Sequence, residues 1–434
     1  MNTRMEKDSS QDTSLVGWQS ETLREGKWRP DDLRMFKFLR RVLNNIDIAY
    51  IATYPPTECG IATFTRDLVV AISKYTPFSE PIVLAVGGTI EQYPKIVKYR
   101  IMKQDLDSYI QAANFLNNSS AKILNVEHEY GIFGGPDGEY ILSLMERVKI
   151  PIVTTLHTVL FNPSPNQKRI VQEIARLSQA VVVMVKTGKE MLINNYGIPA
   201  EKIVIIPHGV PNVHRVNPAA VKKLLGIANR PIISTFGLIN RGKGIEWAIK
   251  AMPMILEKNP DALYLILGET HPGVRNYEGE TYRNELLQIV ADLNLEKHVR
   301  FNNRYLTLEE LVNYLCATDV YVTPYINRDQ IVSGTLAYAL GCGKAIVSTP
   351  YLYAEEVLAD GRGKLVPMKN SEEIAKAVNE ILSNPTLREN MESKAYRYGR
   401  RAAWFNVAID YLDLFHTILQ HTKAHQTIES HSEA

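Results

Sequence analysis

Five clusters in this chain combine residue types that bind charge or donate hydrogen bonds, and each follows an apolar run. The first spans Pro55 to Thr63. Its Gly60 lets backbone approach a ligand with no Cβ in the way, and it opens a helix whose N-terminal N–H groups suit phosphate or polar hydroxyls. The spacing is not GxGxxG, so a nicotinamide dinucleotide is a poor match. A plain strand-to-helix turn is the bland alternative. The second cluster is Glu127 to Gly135. Neighbouring positions on an extended strand point to opposite faces, so Glu127, His128 and Glu129 do not read as a ligand set, and no metal is expected. The third is His157, at the end of PIVTTLH, where an imidazole can donate to a hydroxyl or to developing charge. A buried histidine bonded to backbone is its alternative.

The fourth cluster is Asn240 to Gly244, with Arg241 and Lys243 between glycines. A guanidinium fork beside a point charge, ahead of a helix start, suits a diphosphate; a solvated basic loop is the other reading. The fifth runs from Pro324 to Leu336. Ser333 and Thr335 are good helix-start residues. Gly334 permits close backbone approach, and the N–H groups from Ile331 and Val332 onward face an anion. Asp329 can accept from hydroxyls. The pair Asp105 and Asp107 forms a DxD, but it precedes YIQAANFL and not a convincing strand exit, so it reads as capping.

The elements that must position these residues repeat as strand, loop, helix. IDIAYIA, PIVLAV, AKILNVE, PIVTTLH, AVVVMV and KIVIIPHG form one series. PIISTFG, ALYLILG, HVRFNN, DVYVTP, AIVSTP and GKLVP form a second, with THPGVRNYEGE as a long polar loop. Continuous apolar strands alternating with helices predict parallel sheets covered on both faces. The fold class is therefore α/β, with two Rossmann-like doubly wound domains facing a crevice. The expected bounds are 1–44 for an N-terminal extension, 45–214 and 215–400 for the two domains, and 401–425 for a C-terminal helix packing back on the first. Ligands of open α/β sheets bind beyond the carboxyl ends of the strands, where all five clusters fall.

Composition narrows the classes. The 434 residues suit two or three domains. A net charge of +2 lacks the basic excess of a general nucleic-acid binder. Three scattered cysteines, Cys59, Cys316 and Cys342, argue against a disulfide framework or zinc site. The N-terminal residues lack the apolar stretch of a secretion signal, which makes a cytoplasmic setting the expectation. Residues 25–43 carry Arg29, Arg34, Lys37, Arg40 and Arg41 among Trp28, Met35, Phe36 and Leu39. Two readings stay open: an amphipathic helix packed on the body, or a basic face in weak contact with anionic lipid.

Taken in order, the Gly60 loop, His157, IPHGV (206–210), FGLINRGKGIEWAI (236–249), TDVYVTPY (318–325), LAYALGCGKAIVSTP (336–350), GRGKLVP (361–367) and the Trp404 helix resemble the retaining glycosyltransferases of family 4, with the GT-B fold. The resemblance covers about residues 46–420. Aligning LAYALGCGK on the family pattern of two glutamates eight residues apart puts Asp329 at the first, whose family glutamate contacts the donor sugar and which could do so with a shorter reach, and Ala337 at the second, whose family glutamate holds ribose, which an alanine cannot do. Lys243 matches the family's diphosphate clamp directly. The clamp arginine falls on Leu238, with Arg241 as a substitute.

What the resemblance implies is a metal-independent retaining transferase, moving a hexose (mannose or glucose) from a UDP- or GDP-linked sugar to a saccharide or small hydroxyl acceptor, with no further cofactor and no nucleic acid. The donor would sit mainly on the second domain and the acceptor on the first. A phosphorylase on the same scaffold, or a non-catalytic sugar or nucleotide sensor, are the alternatives.

Overall fold

The structure, a computed structural model, describes residues 46–77, 79–88 and 92–432. The basic stretch 25–43, and with it both readings of that stretch, lies outside these residues.

The first series folds into a seven-stranded sheet of β1 (Ile48–Ala52), β2 (Ile82–Gly87), β3 (Val97–Met102), β4 (Ile123–His128), β5 (Ile152–Leu156), β6 (Ala180–Val183) and β7 (Ile203–Ile205), in the order 3-2-1-4-5-6-7. The second folds into six strands, β8 (Ile232–Phe236), β9 (Leu263–Leu267), β10 (Val299–Asn302), β11 (Val320–Thr323), β12 (Ala345–Ser348) and β13 (Lys364–Leu365), in the order 10-9-8-11-12-13. Every paired strand in both sheets is parallel. All residues of β1, β4, β5, β6, β9, β11 and β12 are buried, as a sheet covered on both faces requires. In the second sheet, helices Ile245–Leu256 and Ser371–Ser383 cover one face with Ile249, Met252, Val378 and Ile381.

Three elements differ from the sequence reading. β3 was not anticipated, because as an edge strand it alternates exposed Lys98 and Arg100 with half-buried Val97 and Tyr99, and shows no continuous apolar run. The polar stretch THPGVRNYEGE is not all loop: Pro272–Glu278 is helical. Pro272 supplies the preset φ of a first helical position, and the His271 ring accepts from Gly273 N–H at 3.1 Å. The C-terminal helical region is two helices, Pro385–Arg401 and Trp404–Ser432. Asp105 does cap the helix Leu106–Asn117, accepting from Asp107 N–H. None of the described helices is long and apolar enough to cross a membrane.

The chain passes between sheets at Ile206–Val213 and returns at Ala402–Trp404. The two crossings pair: Val210 N–H donates to Ala402 O at 2.8 Å, and Trp404 N–H donates to Val210 O at 3.0 Å. The helix beginning at Trp404 then packs on helix Gly60–Ser73 of the first lobe, and Tyr411 hydroxyl bonds Thr155 Oγ1 of β5 at 2.8 Å. Gly209 lies flat against the Trp404 ring; a Cβ there would come within 2.3 Å of it. Overpacking of this kind costs about 1–3 kcal/mol. Gly209→Ala is expected to lower unfolding stability by that amount in urea, and an unchanged midpoint would contradict the packing described.

Candidate functional site

Each sheet reverses its strand order once, between β1 and β4 in the first and between β8 and β11 in the second. At a reversal the connecting helices leave on opposite faces, which opens a crevice at the strands' carboxyl ends. The two crevices face one another and form one cleft of about 1230 Å³, lined from both lobes.

On the first lobe, β1 leads into helix Gly60–Ser73 through Cys59, whose thiol caps the helix by accepting from Ala62 N–H at 3.3 Å. A Cβ on Gly60 would meet no protein atom within 4 Å, so the space over it belongs to the cleft. His157 stands at the cleft just beyond β5, edge-on to Phe64 at 4.7 Å between ring centroids. Its Nε2 is 2.8 Å from Glu127 Oε2, a carboxylate fully buried at the end of β4. It is therefore not the backbone-bonded histidine of the bland reading. Glu129 also reaches the cleft and accepts from Thr158 hydroxyl at 2.5 Å. His128 points to the opposite side of β4, packed between Tyr130 and Phe133, and complete burial lowers its pKa to about 3. Among the described residues no set of three His, Cys, Asp or Glu side chains gathers as metal ligands.

On the second lobe, Gly244 adopts φ +57° with its α-carbon against the Pro324 carbonyl, where a Cβ would come within 2.3 Å. This close approach, with the Ile326 N–H to Gly242 O bond, joins the loop after β8 to the loop after β11. It sets the Lys243 ammonium 4.0 Å over the Tyr325 ring. The Tyr325 hydroxyl is 2.6 Å from Thr335 Oγ1, which is 3.1 Å from Ser333 Oγ. Ser333 caps helix Gly334–Gly341 by accepting from Leu336 N–H at 3.3 Å. The N–H groups of Gly334 and Thr335 precede any possible intrahelical acceptor. Lys243, Ser333, Gly334 and Thr335 thus form one cationic, donor-rich wall of the cleft, with Asp329, Ile331 and Val332 also on the lining. Ile331 is buried, its side chain near Gly188 of the first lobe. Asp329 is exposed, its N–H held by Asn327 Oδ1 at 3.2 Å.

Two expectations need correction. Arg241 does not line the cleft. It forms two 2.7 Å hydrogen bonds to Glu285, lies 3.5 Å from Glu278 and covers the Tyr282 ring at 5.2 Å. It is committed to helices Pro272–Glu278 and Thr281–Asp292, outside the clamp proposed for it. Ala337 does not face the cleft either; Tyr338 does. Successive residues of a helix are turned by about 100°, so a one-residue difference in alignment exchanges a buried position for a lining one. Gln330, eight residues before Tyr338, is also on the lining.

Sequence reasoning did not pair the residues that bridge the lobes. Tyr338 hydroxyl donates to Asp67 Oδ2 at 3.0 Å, and Thr63 Oγ1 meets Tyr305 hydroxyl at 2.7 Å. Glu58 carboxyl is raised from its ordinary value, first by a hydrogen-bonding contact with Glu269 of the other lobe and then by burial. Burial lowers His208 to about 4, so it is neutral at physiological pH; its ring packs near Phe64 and Trp404 and against Gly334. Helix Lys186–Tyr196 has no side-chain cap of its own. Glu356 from the second lobe supplies one, accepting from Lys186 N–H, Thr187 N–H and Thr187 hydroxyl, each at 2.9 Å. Glu58 and Thr63 lie in the first cluster, His208 in IPHGV and Tyr338 in LAYALGCGK, but pairing over distances of up to 271 residues carried no local signal.

Two sheets with matching reversals, closed around one cleft, define a GT-B architecture. The model for glycosyl transferases group 1 matches residues 218–398, and that for glycosyltransferase family 4 matches residues 67–212. The chain belongs to the family 4 glycosyltransferases. Similar relatives include a D-inositol 3-phosphate glycosyltransferase of Streptomyces bingchenggensis, 24% identical over 62% of this chain and 62% of the relative. Another is a GDP-mannose-dependent alpha-(1-6)-phosphatidylinositol monomannoside mannosyltransferase of Mycolicibacterium smegmatis, 24% identical over 53% of this chain and 59% of the relative. The chain therefore spans about three fifths of the length of these relatives. Among solved structures, HepE of Anabaena in complex with UDP superposes with a TM-score of 0.69 at 18% identity, covering 86% of this chain and 100% of that one. Sucrose-phosphate synthase of Thermosynechococcus elongatus gives 0.71 at 16%, covering 87% and 100%. At these identities the likeness is one of fold.

The Glu356 cap ties this architecture together across the cleft. Removing a helix cap costs about 0.5–2 kcal/mol. Glu356→Ala is expected to lower stability within that range and to speed amide exchange at Lys186 and Thr187. Wild-type exchange at both would contradict a cap supplied from the other lobe.

Proposed function

We propose that the protein transfers a hexose from a nucleotide diphosphate sugar to a hydroxyl of a saccharide or other acceptor, with the anomeric configuration retained and no metal required. One observation carries this reading. The cationic wall of Lys243 and the helix start at Ser333 faces His157 across a cleft wide enough for both substrates. The nucleotide half is placed on the second lobe, where positive charge and free N–H groups converge. The GDP-mannose of one relative's name, and the UDP and glucose bound in a structure of similar fold, support nucleotide-sugar chemistry with mannose or glucose carried by GDP or UDP.

In the proposed reaction the bond from the anomeric carbon to the diphosphate oxygen breaks, and negative charge collects on the departing phosphate. Lys243 and the N–H groups of Gly334 and Thr335 stabilise that charge; in a water-poor site such donors are worth about 2.7–4 kcal/mol each. A phosphate oxygen takes the proton of the acceptor hydroxyl, whose oxygen bonds the anomeric carbon on the face just vacated. His157 and Asp329 hold the transferred sugar. The cross-lobe contacts keep water out, which limits hydrolysis.

The test is nucleotide release from UDP- and GDP-hexoses, with the anomeric configuration of the product read by proton NMR. Lys243→Ala is expected to lower turnover at least about tenfold, and Arg241→Ala to leave it within about twofold. Wild-type turnover in Lys243→Ala would overturn the cradle. Turnover of a sugar 1-phosphate with phosphate release, and none of a nucleotide sugar, would replace transfer by phosphorolysis.

A further inference from the structure

The first-lobe wall carries a buried polar group that the proposed reaction leaves without a role. Glu127 is fully buried in the middle of the first sheet. A carboxylate taken out of water costs several kcal/mol unless its oxygens are bonded. Among the described residues two donors reach it: Asn125 Nδ2 at 2.6 Å to Oε1, and His157 Nε2 at 2.8 Å to Oε2. Asn125 and Glu127 are two residues apart on β4 and so share a face. Tyr50 of β1 and Thr155 of β5 stand opposite them in register. The Tyr50 hydroxyl and Asn125 Oδ1 are buried without a partner among the described residues, and the Tyr411 hydroxyl is taken by Thr155.

From this network we infer that Glu127 is a positioning residue, which holds His157 with its proton on Nε2 and presents the bare Nδ1 to a hydroxyl of a bound sugar. The inference rests on the transferase reading for its last step only. An ionised carboxylate can accept but not donate, so the imidazole nitrogen beside it carries the hydrogen. The ring packs edge-on against Phe64, and the backbone N–H of His157 donates to His128 O at 2.9 Å. With Nε2 turned into the sheet, Nδ1 is the nitrogen left for the cleft, and there it accepts a hydrogen bond from a sugar hydroxyl, which keeps its proton. The other ionisable groups around the pair are His128 and His208, both held neutral by burial, with Tyr50 and Tyr411 about Glu127. Glu129 is occupied by Thr158. None of these offers His157 Nε2 a competing partner.

The geometry makes Glu127→Gln an unusually specific probe. Asn125 Nδ2 still requires an acceptor, so the glutamine oxygen stays on the Asn125 side and its NH₂ group faces His157. That group donates, so His157 Nε2 must give up its hydrogen and the proton moves to Nδ1. The size and shape of the site hardly change, yet the cleft-facing nitrogen turns from acceptor to donor.

The experiment records nitrogen-15 imidazole spectra of the full chain, with His157 assigned by comparison with His157→Gln. Wild type is expected to show protonated Nε2 and bare Nδ1, and Glu127→Gln the reverse. In steady state Glu127→Gln should lose at least about tenfold in kcat, with UDP and GDP affinity within about twofold of wild type, because the nucleotide sits on the other lobe. Wild-type kcat in Glu127→Gln, or a wild-type spectrum with the proton on Nδ1, overturns the inference. The spectrum needs no substrate and no variant of Glu127, so it decides the protonation state even if Glu127→Gln does not fold. If wild type turns over no donor, the transferase reading falls, while the spectra still judge the pairing.

Discussion

Both halves of this protein obey one constraint. A parallel sheet sends all its carboxyl ends to one edge, and a reversal of strand order leaves a gap in the helical cover at that edge. β1 and β4 make the gap in the first lobe, and β8 and β11 make it in the second. The chain places its chemistry in the segments leaving these four strands and β5: the Cys59 turn, the Glu129 loop, the Lys243 loop, the Ser333 helix start and His157. Segments leaving the neighbouring strands β2, β3, β9 and β10 reach the same cleft with Gly87, Lys103, His271 and Tyr305.

The gaps become a site only because the lobes are held together at close quarters. Small residues permit that approach: Gly334 against His208 and Gly209 against Trp404. Around these contacts, polar pairs link the lobes at Asp67 and Tyr338, Thr63 and Tyr305, and Glu356 and the start of helix Lys186–Tyr196. The Asp67–Tyr338 bond is buried and the Glu356 bonds to Thr187 are partly so, which strengthens them and penalises their loss. The same shielding serves the proposed chemistry, since a donor aimed at developing charge acts more strongly where solvent is excluded.

Much of the site was legible because it depends on chain-local properties. A glycine-bounded basic loop after an apolar run, or a serine before a helix, has its meaning within a few residues. Lys243, Ser333, Gly334, Thr335 and His157 therefore emerged from order and spacing, and the structure brings them onto one cleft. Arg241 shares the loop of Lys243 and looked equivalent to it. Its direction was settled by Glu278 and Glu285, more than thirty residues away, which draw the guanidinium out of the cleft. Ala337 and Tyr338 differ by one position, and only the helix's rotation against the lobe interface says which of them looks inward.

From sequence alone came the class of fold, the two series of strands, the edges where function gathers, and most of the residues there, because hydrophobic period and helix-start chemistry are local. β3 escaped, because an edge strand buries too little to show an apolar run. The tertiary structure decided what each side chain touches: the carboxylate behind His157, the hydroxyls beneath Lys243, the cap that one lobe lends the other. The carboxylate and its imidazole are 30 positions apart and the cap and its helix 169 or 170, and a hydrogen bond at such separation exists only once a sheet has formed or two lobes have packed, whatever the local propensities of its partners.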